Sequence, residues 1–71
     1  DYGHAVLLQH DPVEGIRFYS LWGHLSAGTV HARHLGEVLE AGDVIGQLGR
    51  NTENGGWAPH LHLQILRRKQ Q

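Results

Sequence analysis

Glycine spacing constrains this chain more than any other feature of its sequence. Ten of the 71 residues are glycine, about twice the usual share of roughly 7%. The apolar residues fall in short runs between them: Ala5-Val6-Leu7-Leu8 after Gly3, Ile16 to Leu25 after Gly15, and Val44-Ile45 after Gly42. No run sustains the 3.6-residue recurrence of a core-facing helix. Short apolar stretches closed by turn residues are the pattern of strands. The expected fold class is therefore all-β, an antiparallel sheet or flattened barrel-sandwich with glycine-rich turns.

Ala5 to about His10 reads as a first strand. Asp11-Pro12-Val13-Glu14-Gly15 has turn chemistry, because Pro sets φ and Gly permits positive φ. Ile16 to Leu25, rich in aromatic and other strand-forming residues (Ile16, Phe18, Tyr19, Trp22), reads as a second strand, and the two predict a hairpin with a five-residue loop. Ser26-Ala27-Gly28 closes the second strand, and Thr29 to Leu35 is either loop or a helical turn. Val44 to Gly49 reads as a strand whose glycines mark close backbone approach. Residues 50–58 form a polar, glycine-rich loop. Pro59 opens a last strand, His60 to Leu66. Residues 1–66 are expected to form one domain and 67–71 a polar tail, with no internal repeat and no linker.

Composition narrows the function classes. A formal net charge of -1 gives no electrostatic reason to expect nucleic acid as a partner. No stretch approaches the roughly 20 apolar residues of a membrane span, so no membrane partner is expected. Without cysteine, any metal has to sit on histidines and carboxylates. A chain of this length buries only about 60% of its unfolded surface, so its own core is marginal. Asp1-Tyr2-Gly3-His4 resembles neither a signal peptide nor a natural start. The chain is expected to be a piece of something longer, with self-association open to it through a cut sheet edge.

Seven histidines invite a metal or proton-transfer reading. The sharpest feature is His60-Leu61-His62. In a strand, alternate residues share a face, so both imidazoles project one way with Cα atoms about 6.6 Å apart. Leu61, Leu63 and Ile65 then point the other way, into a core. The plainer reading is two histidines on an exposed sheet face. Trp22-Gly23-His24-Leu25-Ser26 ends the second strand, and alternation puts Phe18, Ser20, Trp22 and His24 on one face. Read alone, His24 is a histidine bonded to a loop; read with His60 and His62, it is a candidate for the same cleft.

The remaining polar residues have blander expectations. His4 and His10 read as surface or edge histidines, and His31 and His34 as loop residues. Asp43 reads as an Asx turn. Asn54-Gly55-Gly56 is a turn on the rim of any cleft before His60, and Trp57 is either a substrate-side wall or a cover for the core. Arg67-Arg68-Lys69 reads as a solvated end.

Taken in order, Gly3-His4-Ala5-Val6-Leu7-Leu8-Gln9-His10, Trp22-Gly23-His24-Leu25-Ser26, Glu40-Ala41-Gly42-Asp43-Val44-Ile45-Gly46-Gln47-Leu48-Gly49 and Pro59-His60-Leu61-His62-Leu63-Gln64-Ile65 resemble the C-terminal part of lysostaphin-like zinc metallopeptidases. Those enzymes cut the peptide cross-bridges of bacterial cell walls. The resemblance implies that His62 is a zinc ligand and that His60 and His24 are the two catalytic histidines. It implies zinc as cofactor and a peptide or peptidoglycan-like substrate. Two departures stand out. Trp22 occupies a position where the family usually has Tyr, and an indole can donate but not accept. The family's other zinc ligands form an upstream His-x-x-x-Asp, which this sequence lacks, so the chain alone is expected to be inactive.

Glu53 to His62 also resembles the peptidase-like module of large proteins that join a kinase-like domain to a pyridoxal-phosphate class-III aminotransferase domain. That resemblance implies a cytosolic setting and a non-catalytic binding or scaffold role as the alternative; a conventional member works in the cell envelope or outside the cell. The segment from Glu40 to Gly46 also resembles lipoyl and biotinyl carriers. Those need a lysine in a hairpin turn, and the only lysine is Lys69 in the tail.

Overall fold

A computed structural model describes residues 2–50, 52, 56 and 58–68. Its elements run β1 (His4–Val13), β2 (Ile16–Leu25), α1 (Ala27–Ala32) and β3 (His62–Leu66). The three strands form one antiparallel sheet in the order β1-β2-β3, as the glycine spacing and short apolar runs require. No helix among the described residues is long and apolar enough to cross a membrane.

The β1–β2 connection is tighter than the sequence suggests. Instead of a five-residue loop, β1 continues to Val13 and only Glu14-Gly15 turn, with Gly15 at φ 84°. His10 pairs with Phe18 and Val13 with Ile16, so Asp11 and Pro12 bulge opposite Arg17. Pro12 is tolerated because β1 is an edge strand, where a missing N–H need not break a ladder. Arg17 Nε donates to Asp11 Oδ1 at 2.7 Å and Gln9 to Asp11 Oδ2 at 2.9 Å, holding the Asp11 carboxyl below its ordinary pKa.

Residues paired across an antiparallel ladder share a face. Val6, Leu8 and His10 pair with Trp22, Ser20 and Phe18, and Trp22 and Ser20 pair in turn with Leu63 and Ile65. On this face Ser20, 2% exposed, is the polar pivot. Trp22 Nε1 donates to its Oγ at 2.7 Å, and His10 Nε2 lies 2.6 Å from the same oxygen. His10 also stacks on Phe18 with centroids 4.7 Å apart. It is thus an edge-strand histidine, but half-buried and bonded rather than a surface one.

Leu61, Leu63 and Ile65 do not enter a core. They are 44%, 50% and 61% exposed, whereas Leu66, on the opposite face of β3, is buried. The buried apolar residues among those described are Leu25 and Leu66.

Ser26 does not merely close β2. It is the N-cap of α1: extended at φ -69° and ψ 150°, it accepts a hydrogen bond from the Thr29 amide at 3.1 Å. At six residues, α1 is too short for a hydrophobic period to reveal it. His31 lies in this helix, which corrects the loop expectation, and His34 follows its C-cap.

Two matching turns come next. The His34 amide donates to Glu37 Oε1 and the Glu37 amide to the His34 carbonyl; the Glu40 amide donates to Asp43 Oδ2 and the Asp43 amide to the Glu40 carbonyl. Each needs positive φ at its third residue, supplied by Gly36 and Gly42. Asp43 therefore closes a turn by reaching back three residues, which is not an Asx turn.

Val44 to Gly49 is not a strand. It makes one bridge, Leu25 with Leu48, and its backbone is spent on the β2–α1 corner. The Ser26 amide donates to the Gln47 carbonyl at 2.9 Å and the Gln47 amide to Thr29 Oγ1 at 2.8 Å. A Cβ at Gly46 would overlap the Thr29 side chain, so glycine there permits this close approach.

Candidate active site

The site forms where β2 ends, and a bulge makes it. His4 pairs with Leu25 and Val6 with Trp22, so Ala5 faces two residues, Gly23 and His24. The extra residue breaks the alternation. His24 takes φ 62°, a left-handed conformation uncommon for a residue with a side chain. Both its backbone groups are engaged: its amide donates to the Tyr2 carbonyl at 2.7 Å, and its carbonyl accepts from the Gly49 amide at 2.8 Å.

The consequence is a change of face. Gly23 pairs with His62 and Trp22 with Leu63, so His62 and Trp22 lie on opposite sides of the sheet. Simple alternation would leave His24 beside Trp22. Instead its ring lies 4.4 Å from that of His60 and 6.0 Å from that of His62, centroid to centroid. The three histidines singled out in the sequence come together. Trp22 does not join them; its indole is turned to Ser20 on the other face.

The imidazoles differ in setting. His24 is buried, His62 half-buried and His60 exposed, so the cluster opens on the His60 side. His60 precedes β3 rather than lying in it. Its Nδ1 donates to the Ala58 carbonyl at 2.8 Å; a carbonyl only accepts, so Nδ1 carries a proton and Nε2 is left to exchange one. His24 has its pKa lowered from the ordinary value, first by burial and then by His60 and His62. Its Nδ1 is buried without a hydrogen-bond partner among the described residues.

Tyr2, which the sequence reading passed over, is part of this cluster. Its ring meets His62 edge to face, with centroids 4.7 Å apart at 76°. Its hydroxyl donates to Gln64 Oε1 at 2.6 Å. The only signal available in sequence was an aromatic residue just before the first strand. The expectations for Asn54-Gly55 as a rim and Trp57 as a wall lie outside the described residues. A concavity of about 770 Å³ between β1 and residues 30–39 is not lined by His24, His60 or His62.

As a metal site the arrangement is partial. Among the described residues no group of three or more His, Cys, Asp or Glu side chains is disposed to hold a metal ion, whereas a catalytic zinc takes three protein ligands. The orphaned His24 nitrogen and the second ring nitrogen of His60 suit proton exchange and hydrogen bonding; they do not complete a ligand set.

The antiparallel sheet thus gathers three imidazoles at one strand end. The model of Peptidase family M23 matches the chain over residues 1–71, and the chain belongs to that family. The family is generally zinc-dependent and acts on peptide or peptidoglycan substrates. No curated protein and no solved structure gives a match.

Proposed function

We propose that residues 1–66 are part of a zinc metalloendopeptidase domain, with His62 as a zinc ligand and His24 and His60 as catalytic histidines. The observation that carries this reading is the meeting of three imidazoles, His24 with His60 at 4.4 Å and with His62 at 6.0 Å, in a chain of Peptidase family M23. In this reading the remaining ligands come from outside these 71 residues, and the 71 residues alone are inactive.

When bound, the zinc supplies an activated water and a Lewis acid for the scissile carbonyl. The chain's own residues supply the rest. His60, with Nδ1–H held by Ala58, offers Nε2 to take up a proton and later return it. His24, kept neutral by burial, offers a hydrogen bond to the oxygen that gains charge as the peptide carbonyl is attacked. Leu61, Leu63 and Ile65 have no part in this chemistry.

Zinc binding tests the reading. Stoichiometry and affinity are measured on the 71 residues and on a longer form that includes preceding sequence. Weak or no binding to the short form is expected, with one equivalent on the longer form that His62→Ala abolishes. Submicromolar binding by the short form would overturn the claim that ligands are missing.

The incomplete ligand set among the described residues favours a second reading, a non-catalytic binding module of the same fold. The setting between kinase-like and aminotransferase domains belongs with it. A longer form that binds no zinc and cleaves no peptide would select this reading.

A further inference from the structure

We propose that Tyr2 is the positioning residue of this site, setting both the left-handed backbone of His24 and the ring orientation of His62. The proposal deepens the reading that His24 and His62 carry the peptidase chemistry, and rests on it.

Three contacts carry the inference. The Tyr2 carbonyl accepts the His24 amide at 2.7 Å, tying down the residue that must hold φ 62°. The Tyr2 ring stands against the His62 ring at 4.7 Å and 76°, a preferred arrangement for aromatic pairs. The Tyr2 hydroxyl donates to Gln64 Oε1 at 2.6 Å, and Gln64 lies two residues beyond His62 on the same face of β3. One residue thus grips β2 through its backbone and β3 through its side chain, where the candidate catalytic and metal-binding imidazoles meet.

Gly23 makes room for this. A Cβ there would lie 3.1 Å from the Tyr2 carbonyl oxygen, 3.2 Å from Tyr2 Cβ and 3.3 Å from His62 Cβ. A side chain there would press Tyr2 and His62 apart by a few tenths of an ångström. Tyr2 is itself 37% exposed, so filling a core does not account for its placement. Its contacts are directional ones, and they converge on the site. An imidazole that has to present one particular nitrogen needs its ring rotation restrained, and partners that orient a ligand histidine do this.

The experiment is NMR on the 71-residue chain, unmodified and as Tyr2→Phe and Tyr2→Leu, with peptide hydrolysis by a longer, zinc-loaded form as a second readout. The unmodified chain is expected to show contacts between the Tyr2 and His62 ring protons and a protected His24 amide. Tyr2→Leu keeps the backbone carbonyl but loses the ring and hydroxyl that anchor residue 2 on β3, so it is expected to shift the His62 ring resonances towards those of free imidazole and, as residue 2 loosens, to speed His24 amide exchange. It should lower hydrolysis by about 10- to 100-fold. Tyr2→Phe, which keeps the ring that stands against His62, should restore the His62 resonances and most of the rate.

Absence of Tyr2–His62 ring contacts in the unmodified chain overturns the proposal, and this holds even if Tyr2→Leu fails to fold. So do unchanged His62 and His24 signals in a folded Tyr2→Leu. The underlying reading fails separately: undiminished hydrolysis by His24→Ala or His62→Ala would remove those histidines from the chemistry while the NMR contacts of Tyr2 stood.

Discussion

The ring of His24 sits 4.4 Å from the ring of His60, tilted by 43°, although the two residues are 36 positions apart in the chain. Two imidazoles this close cannot both carry a proton at low cost, and the more buried of the two gives way first. Burial together with His60 and His62 lowers the pKa of His24, so the His24 ring is neutral at pH 7.

The pH dependence follows from that direction. Lowered pKa in the fold means that the unfolded chain binds more protons at His24 than the folded chain does. Stability therefore rises with pH there. The contribution is fully present above the unfolded value of about 6.5 and is lost as pH falls through the lower folded value. His24 is expected to titrate below an ordinary histidine by NMR. The urea midpoint should fall between pH 7.5 and pH 5.5, and His24→Ala should flatten that fall. A His24 titration at or above about 6.5 would contradict this.

Two glycines give opposite results when changed to alanine. At Gly23 the new Cβ meets Tyr2 and His62 at 3.1 to 3.3 Å. These are backbone and Cβ atoms with little freedom to yield, so Gly23→Ala is expected to cost about 1–3 kcal/mol. At Gly28, inside α1, a Cβ meets nothing within 4 Å. Gly28→Ala is expected to stabilise by about 0.5–1 kcal/mol through helix propensity. Urea unfolding of both variants at pH 7.5 checks the signs.

Thr29 is buried, and its Oγ1 accepts the Gln47 amide at 2.8 Å while lying 2.8 Å from Ser26 Oγ. Thr29→Val keeps the shape and removes the oxygen, leaving the Gln47 N–H without its acceptor. The expected cost is about 1–3 kcal/mol. Because Gly49, two residues on, holds the His24 carbonyl, amide exchange at Gln47 and Gly49 is expected to quicken together. Unchanged exchange at Gly49 would show that this corner does not support the site.

Much of the frame was legible in the sequence. The span of β2, Ile16 to Leu25, follows from Ile16 and its three aromatic residues between a glycine turn and a serine. The last strand follows from its alternation, although it starts at His62 and not at His60. The five-residue hairpin loop was misplaced because Asp11 and Pro12 have turn chemistry yet fit a bulge on an edge strand. The strand expected at Val44 to Gly49 failed because its amides and carbonyls bond to the β2–α1 corner instead of a neighbouring strand. Leu61, Leu63 and Ile65 alternate as core residues do, but alternation cannot say whether another layer covers the face.

The sequence by itself determined the chemical inventory: three histidines in two short motifs, no thiol, and strands to carry them. Tertiary structure decided how those histidines are aimed. One extra residue in β2, set against Ala5, turns His24 away from Trp22 and towards His60 and His62, and brings Tyr2 over Gly23. Which residue is the extra one depends on the pairing register of two strands. No local period in either strand records it, because a one-residue offset exchanges the faces while leaving the alternation of each strand intact.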